Sequence, residues 1–243
     1  MSKWISVFVL ILLTGCVSQN ELSQRKLTNE QVIRSSGNAS EIIRMYKQQL
    51  QQQEDVEVRQ KLVASYLRIN DYESAQFYLD PLLKSSPHDG EVNKLAGQAA
   101  LGLGKYEQAQ VYLTQAYNVM PDDAEVLNLI GILYSLQGKV PEARRWFERS
   151  RNAMVDDATV KNNLSILDLL EHDYESARDR LESLRAKERL GDKAKVTLSI
   201  AYAKLGLYKP FRQLVPDMTT EESAILYQQL KTLDMHAVNS FVQ

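Results

Sequence analysis

Cys16 is the single thiol of the chain, and the three histidines are His88, His172 and His236. One cysteine allows neither an intramolecular disulfide nor a cysteine-based metal site. The histidines lie far apart, without the short spacing of a metal ligand pair, and read as loop or surface residues. No glycine-rich phosphate loop follows a strand pattern, and no G-x-S-x-G elbow is present. The acidic pairs Asp122-Asp123 and Asp156-Asp157 fall at the junctions of repeating units. There they suit helix N-caps, worth roughly 0.5–2 kcal/mol each, better than a catalytic dyad. The expectation is a chain that is not an enzyme and that uses no metal and no cofactor.

The surroundings of Cys16 point to a different chemistry. Lys3 precedes an apolar run of ten residues, Trp4 to Leu13. As a helix this run spans roughly 15 Å, half of a roughly 30 Å hydrocarbon core. It is a poor membrane span and a good signal-peptide core. Leu13-Thr14-Gly15-Cys16 follows it and resembles the bacterial lipobox. That resemblance implies cleavage before Cys16, giving a leader over 1–15, and a diacylglycerol on the thiol. The alternative is an ordinary signal peptide with a chance cysteine. Acyl chains anchor at about 0.8 kcal/mol per buried CH₂, so several on one residue hold firmly. Val17 stands where an aspartate commonly marks inner-membrane retention, which resembles the outer-membrane class of lipoproteins. The expected location is the periplasmic face of the outer membrane.

Lys plus Arg number 29 and Asp plus Glu 31, a net charge of −2. Loss of Lys3 with the leader leaves 28 against 31 over 228 residues, or −3. Nothing in this balance resembles a clustered basic footprint, so no nucleic-acid partner is expected. The length suffices for a sizeable core if units stack.

What must position these groups is a period of 34 residues. Tyr72-Glu73-Ser74-Ala75 recurs as Tyr106-Glu107-Gln108-Ala109, Val140-Pro141-Glu142-Ala143 and Tyr174-Glu175-Ser176-Ala177. A worn last copy is Tyr208-Lys209-Pro210-Phe211, and Pro87 and Pro121 share the period. A fixed period of this length means one supersecondary unit stacked on itself. The units run 56–89, 90–123, 124–157, 158–191 and 192 to about 215. Each holds two helical patterns around a turn, at Asn70-Asp71, Gly104-Lys105, Gly138-Lys139, His172-Asp173 and Gly206-Leu207. Gly or Asn suits a helix end in the left-handed conformation, and His172 is the odd member. Ahead of the array come a polar tether over 16–40, with a short helix near Thr28 to Arg34, and a helix over 41–55. Ser40 reads as the N-cap of that helix, whose apolar residues are Ile42, Ile43, Tyr46 and Leu50. After the array, 216–243 reads as a capping helix. Thr219-Thr220-Glu221-Glu222 is a capping box, with Leu226, Leu230 and Leu233 behind it.

These units resemble the tetratricopeptide repeat (TPR). In that family small residues sit where the helices of a pair cross. The matching places hold Gly97, Ala109 and Ala116 in the second unit, and Gly131, Ala143 and Ser150 in the third. Tyr66, Leu79, Leu113, Tyr134, Phe147, Leu164 and Leu181 are the large residues between them. Small side chains let backbones approach, and larger ones fill the groove beside them. Val63 departs from the pattern in the first unit, and Pro210-Phe211 stand where a helix interior should be. The resemblance implies an all-α, right-handed superhelical TPR solenoid of about five helix pairs with flanking helices.

It also implies a partner-binding groove lined by the first helix of each pair. The positions are Gln60, Ala64 and Leu67; Lys94, Gln98 and Leu101; Asn128, Ile132 and Ser135; Asn162, Ile166 and Leu169; and Val196, Ile200 and Ala203. Leu101, Ile132, Ile166 and Leu169 read equally as groove or as packing between neighbours. The TPR subclass that grips acidic chaperone tails uses Lys, Asn and Arg at places held here by Gln60, Ala64, Leu95 and Glu125. That clamp is absent. A helix or an extended segment of a protein partner suits a mixed, partly apolar groove better.

Lipobox, tether and repeats together resemble the Tad (Flp) pilus assembly lipoproteins, the TadD family, with type IV pilus pilotins close behind. The outer-membrane barrel assembly lipoprotein is of similar size, but its repeats are longer and less regular. The Tad resemblance implies work at the outer membrane with the secretin and other pilus components. A general envelope scaffold that recruits peptidoglycan enzymes or proteases is the alternative.

Overall fold

The computed structural model describes residues 38–235. The expected leader, Cys16, the tether as far as residue 37 with its short helix, and His236 lie outside the described residues. Twelve helices and no strand occur among the described residues. The chain divides into two compact units between Ser65 and Tyr66.

In the first unit, α1 (Ala39–Gln52) buries Ile42 and Tyr46. Its N-cap is Asn38 rather than Ser40: the Asn38 side chain accepts from the Glu41 N–H at 3.3 Å. Asn caps as well as Ser, and the three-residue reach to Glu41 selects the earlier residue. Helix α2 (Val56–Arg68) starts here, with Asp55 Oδ1 accepting from the Val58 N–H at 3.1 Å. Leu62 and Val63 are fully buried, so the larger side chain at the small-residue place is accommodated.

The second unit carries α3 (Tyr72–Ser85), α4 (Gly90–Gly102), α5 (Tyr106–Val119), α6 (Ala124–Leu136) and α7 (Val140–Asn152). It continues with α8 (Asp157–Leu170), α9 (Tyr174–Arg185), α10 (Asp192–Lys204), α11 (Tyr208–Leu214) and α12 (Thr220–Thr232). Each helix from α3 to α11 packs on the next. The first helices of adjacent pairs also pack on one another, α4 on α6, α6 on α8 and α8 on α10. The starts are written in the sequence: Asp71, Asp89, Asp123, Asp156 and Asp173 each accept from the N–H three residues on. This satisfies one of the four orphan donors that open every helix.

Close crossings hold the pairs together. A methyl on Gly131 would stand 2.5 Å from Phe147 Cε1, and one on Gly97 the same distance from Leu113 Cδ2. Hydrogen in place of Cβ is therefore what lets α6 meet α7 and α4 meet α5. Ala109, Ala116, Ala143 and Ser150 are wholly buried. The turn residues Asn70, Gly104, Gly138, His172 and Gly206 all have positive φ. His172 adopts it at 63°, and the Tyr174 hydroxyl lies 2.7 Å from its Nδ1, a hydrogen bond that Asn70 and Tyr72 repeat at 2.9 Å.

The worn last copy does form a helix. Pro210 sits in the first turn of α11, where its missing N–H leaves no intrahelical bond unmade. Phe211 takes the place of Ala177, and its bulk is absorbed by an aromatic cluster. Its ring centroid lies 6.3 Å from Tyr208 and 5.3 Å from Tyr227 of α12. Helix α11 is seven residues long. The α12 capping box is formed, and Tyr227 and Ser223 are its buried residues, with Leu226 and Leu230 partly buried beside them. Hydrogen bonds from the Thr219 N–H and hydroxyl hold the Glu222 carboxyl below its ordinary value.

Candidate functional site: a cleft across three first helices

Seven of the groove positions come together in one place. Asn128 and Ile132 on α6, Asn162, Ile166 and Leu169 on α8, and Val196 and Ile200 on α10 line a cleft of about 670 Å³. Leu169 is fully buried and forms floor rather than surface, whereas Val196 is 57% exposed at the mouth. Ile132 and Ile166 are half-buried and line the cleft, and Ile132 also packs against the core, so the groove and packing readings both apply to it.

The other positions lie elsewhere. Leu67, Leu101, Ser135 and Ala203 are buried, and a contact-surface role does not suit them. They support the helices, as Leu101 does in the cluster with Leu129 and Leu133. Gln98 on α4 is half-buried outside the cleft, and Gln60 (half-buried) and Ala64 (exposed) belong to the first unit. Lys94 is 8% exposed and is bound by two carboxylates, Glu91 at 2.8 Å and Glu125 at 2.9 Å. Burial works against its charge, but these hydrogen bonds outweigh burial and raise its pKa. Its ammonium is already neutralised by Glu125 of the next pair, so it offers a partner little.

Residues absent from the expected groove tie the cleft walls together. Asn163 Nδ2 donates to Asn128 Oδ1 at 2.8 Å, joining α8 to α6. The Thr197 hydroxyl donates to Asn162 Oδ1 at 2.9 Å, joining α10 to α8. Both bonds link residues 35 apart, one more than the repeat, and a strict 34-residue register passes over them. The adjacent amides Asn162-Asn163 were the available signal. Asp156 and Arg189 form an ion pair across the mouth at 2.9 Å. Both are half-exposed, so that pair contributes little to stability.

A second polar cluster lies between α7, α8 and α9. Asp168 is 2% exposed and accepts from Arg144 at 2.9 Å and from Arg180 Nε at 3.1 Å. Arg144 also pairs with Glu171. Burial opposes the Arg144 charge, but these hydrogen bonds prevail and raise its pKa. With every charge answered, the cluster serves as structure. No helix among the described residues is long and apolar enough to cross a membrane. Among the same residues no group of three or more His, Cys, Asp or Glu stands together as a metal site.

Residues 61–113 and 100–164 each match a tetratricopeptide repeat family model. No curated protein sequence matches the chain. Among solved structures it is similar to a chain of the APC/C hetero-tetramer Cut9-Hcn1, with TM-score 0.64 and 17% identity over 85% of this chain. It spans only 40% of the length of that relative. It is similar to PilW, described as a widely conserved type IV pilus biogenesis factor, with TM-score 0.60 and 18% identity over 76% of this chain and 87% of that one. The values for PilF of Pseudomonas aeruginosa are 0.58 and 18%, over the same 76% and 87%. Repeat matches, helix pairs and small-residue crossings agree: the chain is a tetratricopeptide-repeat protein with a TPR solenoid fold.

Proposed function

We propose that the chain is a lipid-anchored scaffold that holds a pilus-assembly protein against the periplasmic face of the outer membrane. The observation that carries this reading is the 670 Å³ cleft, lined on three adjacent first helices by amides and aliphatic side chains, with Asp156, Arg189, Asp192 and Lys193 exposed around them. Such a surface offers recognition without any group poised for catalysis. The lipobox resemblance at Cys16 supplies the anchor. The likeness to PilW supports the choice of system, which we take as Tad (Flp) pilus biogenesis, with type IV pilus assembly as the sister case. A secretin subunit is the leading partner. An anchor raises the effective concentration of the held segment at the membrane without any new contact.

Cys16→Ser tests the anchor: the protein is expected to leave the membrane fraction and pilus assembly to fail, with the helical content unchanged. Normal piliation in that variant would overturn the reading. Recovery of a murein hydrolase instead of a secretin or prepilin after crosslinking in membranes points to the general envelope scaffold.

A further inference from the structure

The cleft shares two lining residues with the cluster that holds the chain beyond α12. Leu169 and Ile200 line the cleft. They also belong to the buried cluster that takes Met235, which is 3% exposed. Two anchors lead the chain to that point. Where α12 ends at Thr232, the Lys204 ammonium of α10 donates to the carbonyl of Lys231 at 3.1 Å and to that of Leu233. A lysine at a helix end answers carbonyls that lack an intrahelical donor. Leu230 and Leu233 pack against the same cluster as Met235. The chain thus leaves Met235 at the edge of the cleft.

The sequence that follows is His236-Ala237-Val238-Asn239-Ser240-Phe241-Val242-Gln243. It carries no Asp, Glu, Lys or Arg in a chain that is 25% charged, and half of its side chains are apolar. The cleft suits those properties. Its interior is amide, hydroxyl and aliphatic, and its charged residues, among them Asp156 and Arg189, are exposed at the mouth. A charged segment would have to desolvate its charges there, and this one has none to desolvate. Its reach is sufficient. Eight extended residues span about 26 Å. The path from α10 across α8 to α6 is two steps between helix axes, about 18 Å. A short tether also holds the segment at roughly millimolar effective concentration, so an affinity of only about 0.1 mM fills the cleft about ten times as often as not.

We propose that residues 236–243 fold back into this cleft of their own chain and that a partner has to displace them. The proposal rests on the reading of the cleft as the partner site and names its regulation. A built-in competitor of this strength lowers the partner's apparent affinity about tenfold.

The test is the rate at which a maleimide labels a single cysteine in the full chain, with Cys16→Ser removing the native thiol. Val196→Cys places the thiol at the mouth of the cleft. Val111→Cys places it on α5, away from the cleft, at nearly the same exposure, 55% against 57%. Adding Val238→Asp with Phe241→Asp puts two charges on the segment and should free the cleft. Labelling of Val196→Cys is expected to rise about tenfold with that addition, and labelling of Val111→Cys to stay unchanged. A fluorescent peptide of residues 236–243 should bind the charged variant about tenfold more tightly than the unaltered chain. Equal labelling of Val196→Cys with and without the charges overturns the proposal. Protection that grows with protein concentration overturns it as well, because the segment then comes from a second copy. Ile166→Gln in the otherwise unaltered chain judges the partner reading separately. Lost piliation keeps the cleft as a partner site even where the labelling rates are equal. Normal piliation with the protection intact leaves the segment in the cleft and overturns its competition with a partner.

Discussion

In the third helix pair, Tyr134 of α6 stacks on Trp146 of α7, with ring centroids 6.5 Å apart and planes 8° from parallel. Thirty-four residues later, Asp168 of α8 and Arg180 of α9 take the same two places and form an ion pair at 3.1 Å. The first pair resembles the third, with Tyr66 stacked on Tyr78 at 5.5 Å. Around the aromatic version, Arg149 lies over Trp146 at 4.6 Å and donates to the Tyr117 hydroxyl at 2.9 Å. Around the ionic version, Arg144 reaches across from α7 to share Asp168. The repeat therefore constrains shape and demands that two positions answer each other, but it does not specify the chemistry of the answer. Both solutions cover the same helix crossing, and they differ in what happens when one partner is removed. An aromatic pair loses area and about 0.5–1.5 kcal/mol of ring geometry. An ionic pair leaves a charge in a site built to neutralise it.

The largest predicted effect breaks the ionic solution. Asp168→Leu leaves Arg180 without its carboxylate and Arg144 with Glu171 alone, and should cost about 1.5–3 kcal/mol, read from urea unfolding. Trp146→Leu in the third pair should cost roughly 1–2 kcal/mol. Installing the aromatic solution in the fourth pair, Asp168→Tyr with Arg180→Trp, should restore most of the loss. If Asp168→Leu costs no more than Trp146→Leu, the two solutions are not energetically distinct.

A smaller effect concerns the turns of the same two pairs. Gly138 and His172 both have positive φ, at 71° and 63°. Left-handed backbone costs a residue with a Cβ roughly 1–2 kcal/mol. Gly138→His should lower the melting temperature. His172→Gly should raise it by less, because it also gives up the bond to the Tyr174 hydroxyl.

The smallest effect distinguishes the starts of the second helices. Asp173 caps α9, whereas Lys139 opens α7 with no side-chain cap. Hydrogen bonds from Ser176 hold the Asp173 carboxyl below its ordinary 3.8. A depressed folded value means that the stabilisation is fully present above pH 3.8 and is lost as pH falls through the folded value. Hydrogen exchange at the first turn of α9 should therefore quicken in acid before that of α7. Asp173→Ala should remove this pH dependence, and Lys139→Ala should leave α7 unchanged. Equal acid sensitivity of the two helix starts would sink the distinction.

Much of this architecture was legible because helix caps and turns act over a few residues, and the crossing residues, such as Gly97 and Gly131, recur with the unit. Asp123 and Asp156 cap helices for reasons local to the chain, and the aromatic and small positions recur with the unit. The failures are equally physical. Ser40 lost the first cap to Asn38 because the two are interchangeable in kind and only the path of the backbone chooses. The bonds Asn128–Asn163 and Asn162–Thr197 escaped because they run at 35 residues, off the repeat. Groove positions such as Leu101 and Ala203 were assigned by register alone. Register gives a helix face but not how deeply that face is buried by the next helix.

Met120 and Met154 show where sequence stops. They hold the same position in successive units, yet Met154 is 90% exposed and Met120 is half-buried over Gly90. A Cβ on Gly90 would stand 3.0 Å from the Met120 side chain, and the equivalent residue of the next unit, Ala124, carries that Cβ. By itself, then, the sequence determined the helices, their pairing and the period, because hydrophobic spacing and capping are properties of neighbours along the chain. Tertiary structure decided which members of one helix face became cleft, floor or core. It also decided which charges were already spent on each other, as with Lys94 and Asp168. Those outcomes depend on side chains brought together from adjacent units, whose distances no spacing along the chain records.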